Sequence, residues 1–298
     1  LAHVAAGLGE AGRFPGTGEL AGGIALDGTG YGPDGTAWGG EWFLLDGELR
    51  WRRVGSLEPF PLIGGEQAVR EPWRVAVALL EAAGAGELID HTPLAARVDA
   101  AILDPVRELA RRAEGAPWTM ASGAGRLLEA AGALLGLAVE NGWEGEAAAR
   151  LEALAFRGAG DGGDLPDVPA WEDLALGEDR AGRPQLPRAA LLAAAASRLA
   201  GGEAPEQVAR GVHGTFCRLA LELSRRAFPA GVAAVAVGGG CLVNRWLRHG
   251  LARGLIEDGR TPCLPREVPP GDGGLSYGQA VLAAAADHRH TAPAEDVA

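Results

Sequence analysis

Lysine is missing from this chain of 298 residues: all 27 basic residues are arginine, set against 39 acidic ones. Together with abundant alanine and 47 glycines, that points to a GC-rich genome rather than to a function. The formal charge of −12 argues against a nucleic-acid surface, because phosphate contacts need clustered cations. The nearest thing to a cluster, Arg111-Arg112, is flanked by Ala110 and Ala113 and reads as a solvated helix face. Cysteine is scarce. Cys217, Cys241 and Cys263 show no CxxC spacing, and an odd count forms no closed disulfide set, so buried, reduced thiols are expected. No stretch reaches eighteen apolar residues, and the alanine-rich run 189–200 is broken by Arg198, which argues against a membrane span. No basic segment leads into a hydrophobic core at the start, so a signal peptide is not expected and the cytoplasm is the expected address. What remains, 47% hydrophobic and 22% charged, suits a globular protein of one large domain or two lobes.

The most informative segment is IALDGTGYGPDGTAWGGE, residues 24–41. A short apolar run delivers Asp27 onto Gly28-Thr29-Gly30, and Trp38-Gly39-Gly40-Glu41 follows. Glycine leaves amides uncovered for an anionic ligand, while the carboxylate is suited to holding a metal or orienting water. A hairpin turn also favours Asp-Gly, so the segment gains weight from two others near the C-terminus. Residues 233–237 (AAVAV) have a buried-strand pattern and run into Gly238-Gly239-Gly240, then Cys241-Leu242-Val243-Asn244 and an amphipathic stretch from Arg245. Strand, glycine turn and helix together set phosphates or a ribose against bare amides. Residues 269–274 (PPGDGG) then place Asp272 on a loop before a helical run over 275–287, a second carboxylate available to a metal or phosphate.

Residues 20–60 read as β, with Asp46-Gly47 as the hairpin signal. Apolar spacing of three and four predicts helices over 71–83, 94–114, 123–137, 145–157, 189–200 and 205–228. The Gly/Asp/Pro-rich stretches 158–170 and 177–188 read as surface loops, and no internal repeat is present. The chain therefore divides into a β-rich part (1–70), a largely helical middle (71–230) and a Gly-rich αβ unit (231–298).

ALDGTGYGPDGTAWGGE, PLIGGEQAVREPWR (61–74), SGAGRLLEA (122–130), WEGEAAARLE (143–152), VHGT (212–215), VGGGCLVNR (237–245) and VPPGDGGLSYGQA (268–280) follow one another in the order found in HypF. The chain resembles the C-terminal, TsaD-like domain of that carbamoyltransferase family over residues 1–285. The resemblance implies an α/β, two-lobed fold of the sugar kinase/heat-shock chaperone/actin-like (RNase H-like) type, with 1–70 as the remainder of an incomplete N-terminal lobe. It also implies a function in [NiFe] hydrogenase maturation. A YrdC-like domain, in the same or another chain, would make carbamoyl-adenylate from ATP, and this domain would pass the carbamoyl group to the C-terminal cysteine of HypE for cyanide-ligand synthesis. By the same resemblance His3, Asp27 and Asp272 would bind a divalent metal, a set that suits Fe, Zn or Mn better than Mg, with Asp27 and Asp272 as the catalytic pair. Gly28, Thr29 and Gly30 would line the phosphate and carbamoyl side. Gly238, Gly239, Gly240 and Asn244 would hold ribose and adenine.

One departure matters. Family members carry HHHAH, whose first and last histidines share a helix face; here His3 matches the last, and Leu1 stands where the third would be. The resemblance thus implies a fragment or truncated product with little transfer activity alone, and exposed apolar strand surface unless another chain covers it. Plain structural alternatives stand beside each assignment: His3 as a frayed end, Asp27 as a turn residue, Asp272 as a helix cap, Gly238–Gly240 as a sharp turn. His213 reads as a satisfied core histidine without a role, and Cys241 as packing. Glu71, Arg74, Ser122 and Gly123 are second-rank cleft candidates, and His288 and His290 belong to the tail. Other functions weighed are a tRNA-modifying TsaD-type enzyme, a small-molecule O-carbamoyltransferase, and a non-catalytic lobe that binds metal or nucleotide.

Overall fold

The computed structural model describes residues 1–113, 115, 116, 118–157 and 170–291. The predicted loop at 158–170 lies, apart from Ala170, outside the described residues, as do the side chains of His288 and His290. In chain order the elements are α1 (Ala2–Ala11), β1 (Leu20–Tyr31), β2 (Ala37–Asp46), β3 (Trp51–Leu57), β4 (Phe60–Pro61), α2 (Glu66–Arg70), α3 (Pro72–Ala82), α4 (Ala100–Arg111), β5 (Met120–Ala121) and α5 (Ala124–Leu134). There follow α6 (Glu146–Phe156), β6 (Gly177–Glu178), β7 (Pro184–Leu186), α7 (Arg188–Ala200), α8 (Pro205–Ala227), β8 (Ala234–Gly238), α9 (Arg245–Glu257), β9 (Thr261–Cys263) and α10 (Leu275–Thr291).

Period-two alternation in the first strands sorts apolar side chains onto two faces of one sheet. Ile24, Leu26, Trp42 and Leu44 join the large core beneath the central helices. Ala21, Ala25, Phe43 and Leu45 face the other way, with Val4 and Leu8 of α1. Both faces are covered, giving three layers. Among the described residues this face of β1 and β2 is not exposed: Ala21, Ala25, Phe43 and Leu45 are all buried, with Phe43 packed against Trp38 and Trp51.

The sheet runs β6-β7-β3-β2-β1-β8-β9. β1, β2 and β3 are antiparallel neighbours, whereas β8 runs parallel to β1 and β9 parallel to β8. Strands from the first and last parts of the sequence are thus side by side, with Ile24 opposite both Trp42 and Val237. Because β1 and β8 are parallel, the chain leaves both at the same edge, the usual place for ligand sites in open α/β sheets.

The β2–β3 hairpin forms at the predicted place. Asp46 organises it by accepting hydrogen bonds from the amides of Glu48 and Arg50. α4 starts later than its apolar spacing predicts, because Asp99 accepts from the amide of Ala101 and caps the helix there. No helix among the described residues is long and apolar enough to cross a membrane.

Candidate functional site

β1 parts from β2 at the residues that the sequence singles out. Leu26 pairs with Gly40 and Gly30 with Trp38, so the β1 segment between them is longer than its partner and bulges outward. Asp27 sits in this bulge at the sheet edge, with Gly28 after it. Beside it β8 ends and turns at Gly239, where φ is +105°. A β-carbon at Gly239 would stand 2.2 Å from the carbonyl oxygen of Leu26. Its amide donates to Pro270 O at 2.8 Å, tying the β8 turn to the loop that carries Asp272.

These constraints bring His3, Asp27 and Asp272 together. One ligand atom from each lies within 4.8 Å of the others. His3 Nε2 is 2.8 Å from Asp27 Oδ2, a separation that two cis ligands with bonds of about 2.1 Å would have on one ion. An imidazole and two carboxylates suit a transition metal, and three protein ligands leave positions open for a substrate. His3 is buried on α1 rather than frayed, Asp27 is half-buried and Asp272 is exposed. Asp272 begins a short 3-10 turn that no side chain caps, so its carboxylate is not spent as a helix cap. Burial opposes the charge on Asp27, but hydrogen bonds from His3 and from the amides of Gly28 and Gly240 outweigh it and hold the carboxyl below the ordinary aspartate range. Asp27 thus rests as the carboxylate.

From Asp27 and Asp272 a cavity of about 320 Å³ opens between α5, α6 and the β8 turn. Gly28, Gly240 and Asn244 line it. Thr29 and Gly30 instead lie exposed farther along β1, while Gly238 is buried against the backbone of His3. Gly239 shapes the turn without lining the cavity.

The remaining wall comes from residues to which the sequence assigns no role. Arg126 and Glu129, one turn apart on α5, form a buried ion pair at 2.9 Å. Burial pushes the Glu129 carboxyl up, against the pull of Arg126 and of the Asn141 amide, which donates to it at 3.0 Å. Trp143, Glu144 and Glu152 complete the mouth, with Trp143 more than half exposed. The only sequence signal for them is their place within SGAGRLLEA and WEGEAAARLE.

Of the second-rank residues, Glu71 and Arg74 pair with each other at 2.5 Å, as expected of a helix surface. Gly123 packs against the Asp27-Gly28 bulge so closely that a β-carbon would stand 2.0 Å from Gly28 O. Ser122 donates to the buried Glu41, whose other oxygen accepts from Arg53 Nε at 2.5 Å. Cys241 lines the cavity, but burial and the nearby Asp27 push its thiol up, so it stays protonated.

Residues 23–279 match the sequence profile of the family described as carbamoyltransferase, Kae1-like domain, second subdomain. The chain is 42% identical over 293 residues to the carbamoyltransferase HypF of Rhodobacter capsulatus, covering 95% of this chain and 35% of that protein. Identity to the carbamoyltransferase HypF of Rhizobium leguminosarum bv. viciae is 39% over 295 residues, covering 95% and 34%. Among solved structures, full-length HypF in a phosphate- and nucleotide-bound form superposes with a TM-score of 0.79 at 27% identity, covering 95% of this chain and 34% of that one. HypF of T. kodakarensis gives 0.74 at 26% identity, covering 97% and 36%. The chain therefore spans about a third of the length of these relatives. The mixed sheet with helices on both faces is consistent with the actin-like, RNase H-like fold. By its sequence profile and its fold, the chain belongs to the HypF carbamoyltransferase family, and residues 23–279 correspond to the second subdomain of its Kae1-like domain.

Proposed function

We propose that this domain transfers a carbamoyl group from carbamoyl-adenylate to the C-terminal cysteine thiolate of HypE, for cyanide-ligand synthesis in [NiFe] hydrogenase maturation. A YrdC-like domain would supply the adenylate from ATP, and the cytoplasm is the proposed setting. The observation that carries the reading is the meeting of His3, Asp27 and Asp272 beside a cavity that Asp27, Asp272, Gly28 and Gly240 line. At about 320 Å³ the cavity is at the small end of the range for small-molecule sites.

In this reading His3, Asp27 and Asp272 hold a divalent Fe, Zn or Mn ion. Bound there, the ion supplies Lewis acidity to a carbonyl or phosphoryl oxygen. Gly28 would edge the phosphate and carbamoyl end, and Gly240 and Asn244 would face the ribose and adenine. None of the three cysteines offers a ready thiolate. Cys217 and Cys241 are buried and their thiols are pushed up, to about 12 for Cys217, while Cys263 is raised by burial as well. An outside thiolate fits that lack.

Calorimetric titration of the chain with AMP, in the presence and absence of Zn²⁺, tests the reading. AMP should bind, more tightly with the ion, and Asp27→Asn should weaken Zn²⁺ binding by at least about tenfold. Absence of AMP binding with and without Zn²⁺ would remove the nucleotide half of the reading. Zn²⁺ affinity unchanged in Asp27→Asn would remove the metal half.

A further inference from the structure

His213 stands behind Asn244 and does not itself line the cavity. It is fully buried in α8, and its Nδ1 lies 2.7 Å from the carbonyl oxygen of Ala209, one turn earlier. A carbonyl only accepts, so Nδ1 carries the ring hydrogen. Burial pushes the imidazole down to about 4, which leaves the ring neutral near pH 7 and Nε2 bare. Asn244 Nδ2 is 3.0 Å from Nε2 and donates to it. On its other side Asn244 Oδ1 accepts from the amide of Leu247 at 3.1 Å, capping α9.

Each bond in this chain dictates the next. Were the Asn244 amide reversed, its oxygen would face the Nε2 lone pair and its NH₂ would face the Leu247 N–H. Both contacts would repel. Asn244 is 5% exposed and lines the cavity, so its polarity toward a ligand is set by a residue that never touches the ligand. After both bonds are made, one Nδ2 hydrogen is its only remaining donor.

We propose that His213 is a positioning residue. The relay Ala209–His213–Asn244 locks the side-chain amide in one orientation, so that its free N–H meets a hydrogen-bond acceptor on the nucleoside part of the bound nucleotide. The ligand half of this inference rests on the nucleotide reading above; the lock itself does not. Histidine is used here for its acceptor nitrogen, which leucine of similar bulk lacks and glutamine supplies through its amide oxygen.

Two measurements test it. In the ligand-free, ¹⁵N-labelled protein, long-range ¹H–¹⁵N correlation should show His213 as the neutral Nδ1–H tautomer, with the Asn244 Nδ2 hydrogen that faces it protected from exchange. That protection should be lost in His213→Leu and kept in His213→Gln. The Nε2–H tautomer, or protection unchanged in His213→Leu, would overturn the lock. In calorimetry with AMP, His213→Leu should bind about tenfold more weakly, and His213→Gln should come within about threefold of wild type. Adding His213→Leu to Asn244→Ala should change affinity less than about twofold, because the group being positioned is already gone. An equal loss in both backgrounds would mean that His213 acts only through general packing. Should the leucine variant fail to fold, the wild-type tautomer and the glutamine variant decide the question. If wild type binds no AMP while the tautomer and protection are as stated, the nucleotide reading fails and the lock stands.

Discussion

Gly239 concentrates the site's constraints in one residue. Its φ of +105° is strained for any side chain, and a β-carbon there would collide with backbone, which cannot swing away. Gly239→Ala should therefore destabilise the fold by about 3 kcal/mol or more. The urea midpoint reads this directly, and a loss below about 1 kcal/mol would mean that the turn relaxes. Residues of this kind are legible in sequence because the reason for them is local: a strand, a glycine run and a carboxylate within a few positions. Asp27, Gly28 and Asp272 belong to that class. Arg126, Glu129 and Trp143 do not, since their spacing also fits an ordinary helix surface and loop. Only the docking of α5 against β1, and of α6 against α5, turns them toward a cavity.

At the scale of elements, the alternation of β1 and β2 and the three- and four-residue spacing of the helices were sufficient to locate most of them. The start of α4 was not, because residues 94–97 repeat helical spacing while forming turns ahead of the Asp99 cap. α8 carries a pH signature. His213 has its usual value near 6.5 in the unfolded chain and about 4 when buried. Between those values the unfolded state binds the extra proton, so stability falls as pH drops from about 6.5 to about 4. A shift of this size corresponds to on the order of 3 kcal/mol. Arg218, Arg225, Arg253 and Glu257 line the small cavity that His213 also borders. The difference in unfolding free energy between wild type and His213→Gln, followed from pH 7 to 4, isolates the effect. A flat difference would show that the imidazole finds a way to ionise inside the fold.

For the molecule as a whole, α1, β1 and the loop before α10 come from opposite ends of the sequence and meet at one point, so an ion held there should staple them. Zn²⁺ at a hundredfold above its dissociation constant should add about 2.7 kcal/mol to stability. The expected readout is a rise in Tm that a chelator reverses and that Asp272→Asn weakens. Asp272 is exposed, so its substitution should leave the metal-free Tm nearly unchanged. Equal Zn²⁺ stabilisation in both proteins would take Asp272 out of the ligand set. The sequence by itself determined the mixed α/β character, the acidic balance, the family and the glycine-rich loops that carry the carboxylates, since each is written in neighbouring residues. Only the tertiary structure decided that His3, Asp27 and Asp272 converge, that Thr29 and Gly30 lie away from the cavity, and that a core histidine orients Asn244. Parallel pairing of β1 with β8 set those outcomes, and strand pairing depends on contacts more than two hundred positions apart.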